Sequence, residues 1–268
     1  MVMLCSPTGK QKTIAATHPN AGVEADYRRR LQALIDEMNT SLLHWIKAAY
    51  RASPPEMAED RTAADEINAA LSKLAKRWQG RFDELAPRLA RLFAGAATDR
   101  ADKAFASALR RGGFTVKFKP TPAVKDAYAA SVNENVALIK SIASEHLTDV
   151  QGMVMRSVAQ GRGLETLAKD LRERFDVPRK RAAFIARDQN NKATAVITAA
   201  RQREIGVTQA RWVHSTGGRH PRPSHVKAGK DGLIYDVTKG ALIDGEYIFP
   251  GQLPNCRCLS RSIIPGFE

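Results

Sequence analysis

Apolar residues recur at helical spacing over most of the chain. Tyr27, Leu31, Leu34, Ile35, Met38, Leu42, Trp45 and Ile46 fall three or four apart, the stripe of an amphipathic helix. That helix is expected to start near Ala25, run to about Arg51 and stop at Ser53-Pro54-Pro55, because proline has no N–H donor and disfavours helix before it. Ile67, Leu71, Leu74 and Trp78 predict a second helix ending near Gly80, and Phe82, Leu85, Leu89, Leu92 and Phe93 a third. A fourth, capped by Thr98 or Asp99, carries Phe105 and Leu109 and ends at Gly112-Gly113.

The period then changes. Phe114, Val116 and Phe118 alternate with Thr115, Lys117 and Lys119, which predicts a short strand in preference to an extended linker. Thr121 with Pro122 at the first helical position opens a long helix that reaches about Gln160. Gly161-Arg162-Gly163 is a turn, Leu164 to Phe175 a short helix, Asp176-Val177-Pro178 a break, and Arg179 to Ile205 another helix. Gly206 stands where a left-handed cap belongs. Beyond it, Gln209–His214, Leu233–Asp236, Glu246–Phe249 and Arg257–Ser260 read as small strands between Gly- and Pro-rich loops. The expected fold is α+β and mainly α: a mobile arm over 1–22, a helical body over 23–160, and a C-terminal domain over 161–268. That domain is helical to about 206, then β-rich and loop-rich.

Charge adds a direction. The 268 residues carry 42 Lys+Arg against 28 Asp+Glu, a formal net charge of +14. About +11 of it lies in residues 151–230, with about +5 before and about −2 after. Such an excess suits an anionic partner, and phosphate of double-stranded DNA, bound non-specifically, is the expected one. Arg179, Lys180, Arg181, Arg187 and Lys192 on the late helix are the expected phosphate contacts. No apolar run approaches the length of a membrane span, so no membrane partner is expected. The start lacks a basic segment followed by an apolar core, and three cysteines make no disulfide framework. Cytosolic synthesis is the expectation.

Nucleotide cradles of the GxxxxGK[ST] or GxGxxG type are absent, as are GxSxG and HExxH, and no small-molecule substrate is expected. The chemistry-bearing residues gather at the end. His214, His220 and His225 fall within twelve positions, and Cys256 and Cys258 follow. His220 and His225 have the spacing of a zinc pair, and Cys256-Arg257-Cys258 puts two sulfurs on one side of a strand. Together these four would make a His₂Cys₂ structural zinc site, stapling an end that has little core of its own. Trp212 and His214 are expected to serve structure, and Asp231-Gly232 to make a turn.

On these residues the sequence resembles the phage head morphogenesis family, the minor head proteins of the Mu F and portal-associated type. The resemblance runs from about Gly161 to Pro265. It comprises Gly161-Arg162-Gly163, the helix from Arg181-Ala182-Ala183-Phe184-Ile185 to Ala193, Gly206, Trp212-Val213-His214-Ser215, Arg222-Pro223-Ser224-His225, Asp231-Gly232 and Pro254-Asn255-Cys256-Arg257-Cys258. It implies a virion protein without catalytic function. Such a protein acts in capsid assembly with the portal protein or major capsid protein, in the capsid interior or at the portal vertex, against packaged DNA. The alternative from the residues is a metal-dependent nuclease or toxin-like enzyme using His214 or His225 with Asp231.

Overall fold

The computed structural model describes residues 11–52, 62–218 and 220–264. The first ten residues of the expected arm and the Ser53-Pro54-Pro55 break lie outside the described residues. The elements in order are β1 (Lys12–Thr13), α1 (Ala21–Ala52), α2 (Thr62–Arg111), α3 (Pro122–Ala159), α4 (Leu164–Arg174), α5 (Asp176–Glu204), β2 (Gln209–Val213), α6 (Pro223–Lys230), β3 (Ile234–Asp236), β4 (Ala241–Ile243), β5 (Glu246–Ile248) and β6 (Leu259–Ile264). The protein is therefore α+β and mainly α, with its strands concentrated at the C-terminal end.

The chain divides into two compact units. One comprises Ala25–Ala90 and Asn133–Ala186; the other comprises Met1–Glu24, Arg91–Val132 and Arg187–Glu268.

The first unit is helical. The predicted stripes are its core: Leu31, Ile35, Met38 and Leu42 of α1, Ile67, Leu71 and Phe82 of α2, and Ile139, Ile142 and Val154 of α3 are all buried. Trp45, counted in the α1 stripe, is instead 50% exposed. Two pairs of buried polar side chains in this unit bond each other. Tyr27 donates to Asn135 Oδ1 at 2.9 Å, and His146 Nε2 lies 2.8 Å from Asn39 Oδ1.

Where three helices were expected between residues 62 and 111, there is one, α2, of 50 residues with Pro87 inside it. Gly80 and Gly95 do not interrupt it; a Cβ at either would meet open space. A helical glycine costs roughly 1 kcal/mol against alanine. Burying a single side chain the size of Trp78 or Phe82 gains more, about 1.5–3 kcal/mol, so the continuous stripe outweighs the weak positions.

The second unit carries the sheet. Its strand order is β1-β6-β2-β3, antiparallel throughout, with Ala210 opposite Ser262 and Val213 opposite Leu259. Residues 11–20, expected as part of a mobile arm, belong here: Lys12 and Thr13 pair with Ile264 and Ile263, and Ile14 is 1% exposed in the core. The core also holds Phe105, Leu109, Val207, Trp212, Tyr235 and Ile248. Gly206, at φ 79°, ends α5 as expected; Val207 N–H reaches back to Gln202 O at 2.9 Å. β4 and β5 form a separate hairpin across Asp244 and Gly245, both at positive φ, the conformation a tight hairpin turn requires.

Residues 114–118 form no strand. Phe114, Val116 and Phe118 do turn inward against the core, so their alternation reports packing and not a ladder. The segment's end is held by side chains instead. Arg201 donates to Lys119 O at 2.6 Å and forks onto Asp102 at 2.8 and 2.5 Å. It also bonds Glu204 at 2.6 Å, and its guanidinium lies 4.7 Å from the Phe118 ring centre.

Arg201 is 4% exposed. Arg201→Ala leaves two carboxylates without their cation and is expected to lower unfolding free energy by about 3 kcal/mol, whereas Arg29→Ala, at an exposed pair, changes it by less than about 1 kcal/mol. Urea denaturation of the two variants checks this.

His146 gives a pH dependence. Burial pushes its pKa down from 6.5 to about 4, opposed in part by Asp149 and aided by Arg174. The unfolded chain thus takes up a proton that the fold refuses, and stability falls as pH drops from about 7 towards 4, by at most about 3 kcal/mol. A His146→Gln variant is expected to show a flatter fall in urea midpoint over that range.

Candidate functional site

The motif residues of the C-terminal end converge within the second unit. The register of β2 against β6 does the first part. Val213 faces Leu259, so one step past the ladder His214 faces Cys258. The period of two keeps His214 on the same face as buried Trp212, and Cys256 on the same face as Cys258. Accordingly His214 Nδ1 lies 3.6 Å from Cys258 Sγ.

The second histidine comes from α6, which the sequence reading missed although Pro223 stands at its start. His225 is 3% exposed. Its Nδ1 lies 3.4 Å from Cys256 Sγ and 3.8 Å from Cys258 Sγ. The Trp212 indole meets the His225 ring edge-on, with centres 5.1 Å apart at 82°. Gly229, one turn further along α6, makes the approach feasible: a Cβ there would run into the Cβ of His214 and lie 2.9 Å from its backbone nitrogen.

Two latches fix the turn that presents the cysteines. Asn255 sits at φ 60°, and its N–H donates to Asp188 Oδ1 of α5 at 2.6 Å. Arg222, at the head of α6, donates to Pro254 O at 3.2 Å. Gly251 N–H then points at Cys256 Sγ, 3.4 Å away. Both cysteines are free and buried. Because the thiols adjoin, only one takes the charge: Cys258, by its hydrogen bond, holds Cys256 below the usual thiol range, and Cys256 pushes Cys258 above it.

Of the four expected ligands, His225, Cys256 and Cys258 come together, their donor atoms all within 4.8 Å of one another. His220 does not join them; it is exposed in the loop before α6, and His214 takes the neighbouring place on Cys258. The four-residue gap from His220 to His225 suits two histidines on one framework, but α6 begins only at Pro223. Asp231 also stays outside the group and pairs with Lys227. Gly232, at φ 61°, makes the expected turn.

The five expected phosphate contacts all have intramolecular partners. Arg179 meets Asp36 at 3.1 Å, Lys180 meets Asp176 at 3.9 Å, and Arg181 meets Glu145 at 2.7 Å. Arg187 donates to Asn255 Oδ1 at 3.3 Å, and Lys192 lies 3.5 Å from Asp188. The sequence reading missed a different basic pair. Arg211 and Arg261 stand directly opposite each other on β2 and β6. Both are exposed, and among the described residues neither has a carboxylate partner.

Comparison with known proteins covers this same region. The family described as Phage Mu protein F like protein matches residues 148–261. The match bears out the resemblance to the phage head morphogenesis family. A relative in Haemophilus influenzae (strain Rd), named only as an uncharacterized protein, is 35% identical over 148 residues. The alignment covers 55% of this chain and 32% of that relative, so the chain spans about a third of the relative's length. No solved structure matches the chain.

The close packing of α6 on β2 has a direct test. Gly229→Ala is expected to push α6 off His214 and lower stability by about 1–3 kcal/mol, while Gly80→Ala, facing open space, is expected to be neutral or stabilising. Thermal melts of the two variants compare them.

Proposed function

We propose that this chain is a minor head protein: it acts in phage capsid assembly at or near the portal vertex, catalyses no reaction, and contacts packaged DNA. The family match over residues 148–261 carries the assembly reading. It falls on the stretch whose scattered motif pieces, Asp188, Trp212, Asn255 and the two cysteines, interlock around one small sheet. The portal protein or the major capsid protein is the expected protein partner, and the virion the expected location. Among the described residues no helix is long and apolar enough to cross a membrane.

Charge supports the contact with DNA. The net +14 persists whatever the internal pairing. Exposed ion pairs such as Arg179–Asp36 and Lys180–Asp176 are worth at most about 1 kcal/mol, so phosphate can displace their carboxylates. Lys192 is less available, because Asp188 holds it and is itself engaged by Asn255. Arg211 and Arg261 repel each other across the strands, and an anion placed between them relieves that repulsion.

The assembly reading is tested by co-expressing the chain with the portal and major capsid proteins of its phage. It is expected to sediment with portal rings or procapsids; recovery only as free protein would contradict the reading. The DNA contact is tested separately by titrating double-stranded DNA at several salt concentrations. Affinity is expected to fall steeply with salt. Arg211→Gln with Arg261→Gln is expected to reduce the log–log slope by about 2, roughly one per lost phosphate contact.

A further inference from the structure

We propose that His214, His225, Cys256 and Cys258 bind one zinc ion as a closed structural centre. The inference is independent of the head-assembly reading, since it rests on the donor geometry alone. Two sulfurs and two imidazole nitrogens are donors that zinc accepts in its four-coordinate structural sites. With Zn–S near 2.3 Å and Zn–N near 2.0 Å, a tetrahedral site places N and S donors about 3.5 Å apart. The observed N–S separations are 3.4, 3.6 and 3.8 Å. These edges join His225 to both sulfurs and His214 to Cys258. His214 meets only Cys258 and stands outside the three donors that lie within 4.8 Å of one another, so its half-buried side chain must turn for all four to reach one ion.

The surroundings fit a thiolate centre. Cys256 receives the Gly251 N–H at 3.4 Å. Hydrogen bonds of this kind stabilise ligating sulfur. Trp212 fixes the His225 ring. His225, Cys256 and Cys258 are each no more than 4% exposed, and the donor group contains no carboxylate. Four protein donors leave no open position for a substrate, which marks the centre as structural. On binding, both thiols lose their protons to solvent, and each imidazole ligates as the neutral ring through Nδ1.

The test uses the full chain purified under reducing conditions without chelator. Metal analysis is expected to find about one zinc per chain. Cobalt(II) added to the metal-free protein is expected to give thiolate charge-transfer absorption and tetrahedral ligand-field bands. His214→Ala and Cys256→Ser are expected to lose zinc retention and weaken these bands, while His220→Ala keeps both. Circular dichroism establishes that the variants stay helical, and the cobalt titration of the unsubstituted chain stands whether or not a variant folds. Substoichiometric zinc together with no cobalt–thiolate band in the reduced protein would overturn the proposal. So would loss of metal in His220→Ala with full retention in His214→Ala.

Discussion

The register between β2 and β6 governs the C-terminal end. It sets Trp212 against Ser260 within the ladder and, one residue beyond, His214 against Cys258. A one-residue slip would turn every one of these side chains to the other face, separating the histidine from the sulfurs and taking Trp212 out of the core. The strands are only three to six residues long apart from the two-residue β1, so little ladder is available to hold that register. Contacts outside the ladder supply the remainder. Gln202 of α5 donates to Ser260 at 3.0 Å and to Ser262 at 2.8 Å, Asp188 clamps Asn255, and Arg222 clamps Pro254. Each joins a helix to β6 or to the cysteine-bearing turn before it.

This arrangement gives the matched family region a physical meaning. Its motif residues are far apart in sequence and have different local roles: a helix carboxylate, a strand tryptophan, a left-handed turn and a cysteine pair. They meet because each satisfies a group that another exposes. The Asn255 N–H needs the Asp188 carboxylate, the bend it makes presents Cys256, and Cys256 lies against His225, which Trp212 holds in place. The unit carries Arg211 and Arg261, both exposed, opposite each other on its sheet.

Much of the helical framework was legible because long amphipathic stripes have one solution. The start of α3 at Thr121-Pro122 and the end of α5 at Gly206 followed from chain chemistry alone. The joins inside α2 were misread because Gly80 was weighed as a stop, although the stripe continues through it. Phe114–Phe118 showed true alternation, yet alternation reports only which side chains turn inward and not whether a neighbouring strand is available to pair. β4 went unread, although Asp244-Gly245 between two short apolar pieces is a hairpin signal of the kind noticed at Asp231-Gly232. His214 was also within reach, since it continues the inward face of Trp212. The spacing of His220 and His225 drew the assignment away, because spacing alone cannot tell a loop histidine from a helix histidine. Partners of the basic residues were not legible at all, as Asp36 and Arg179 lie 143 positions apart.

Zinc bound at the His/Cys cluster, as proposed, would add one more tie between β2, α6 and the turn before β6. Amide hydrogen exchange, with and without a zinc chelator, reads this residue by residue. The amides of Trp212, Cys256 and Ser262 should be protected in the zinc-loaded chain and lose much of that protection on chelation, while those of Ile139 and Ile142 in α3 should not change. Equal protection of Trp212 and Ser262 with and without chelator would contradict the claim.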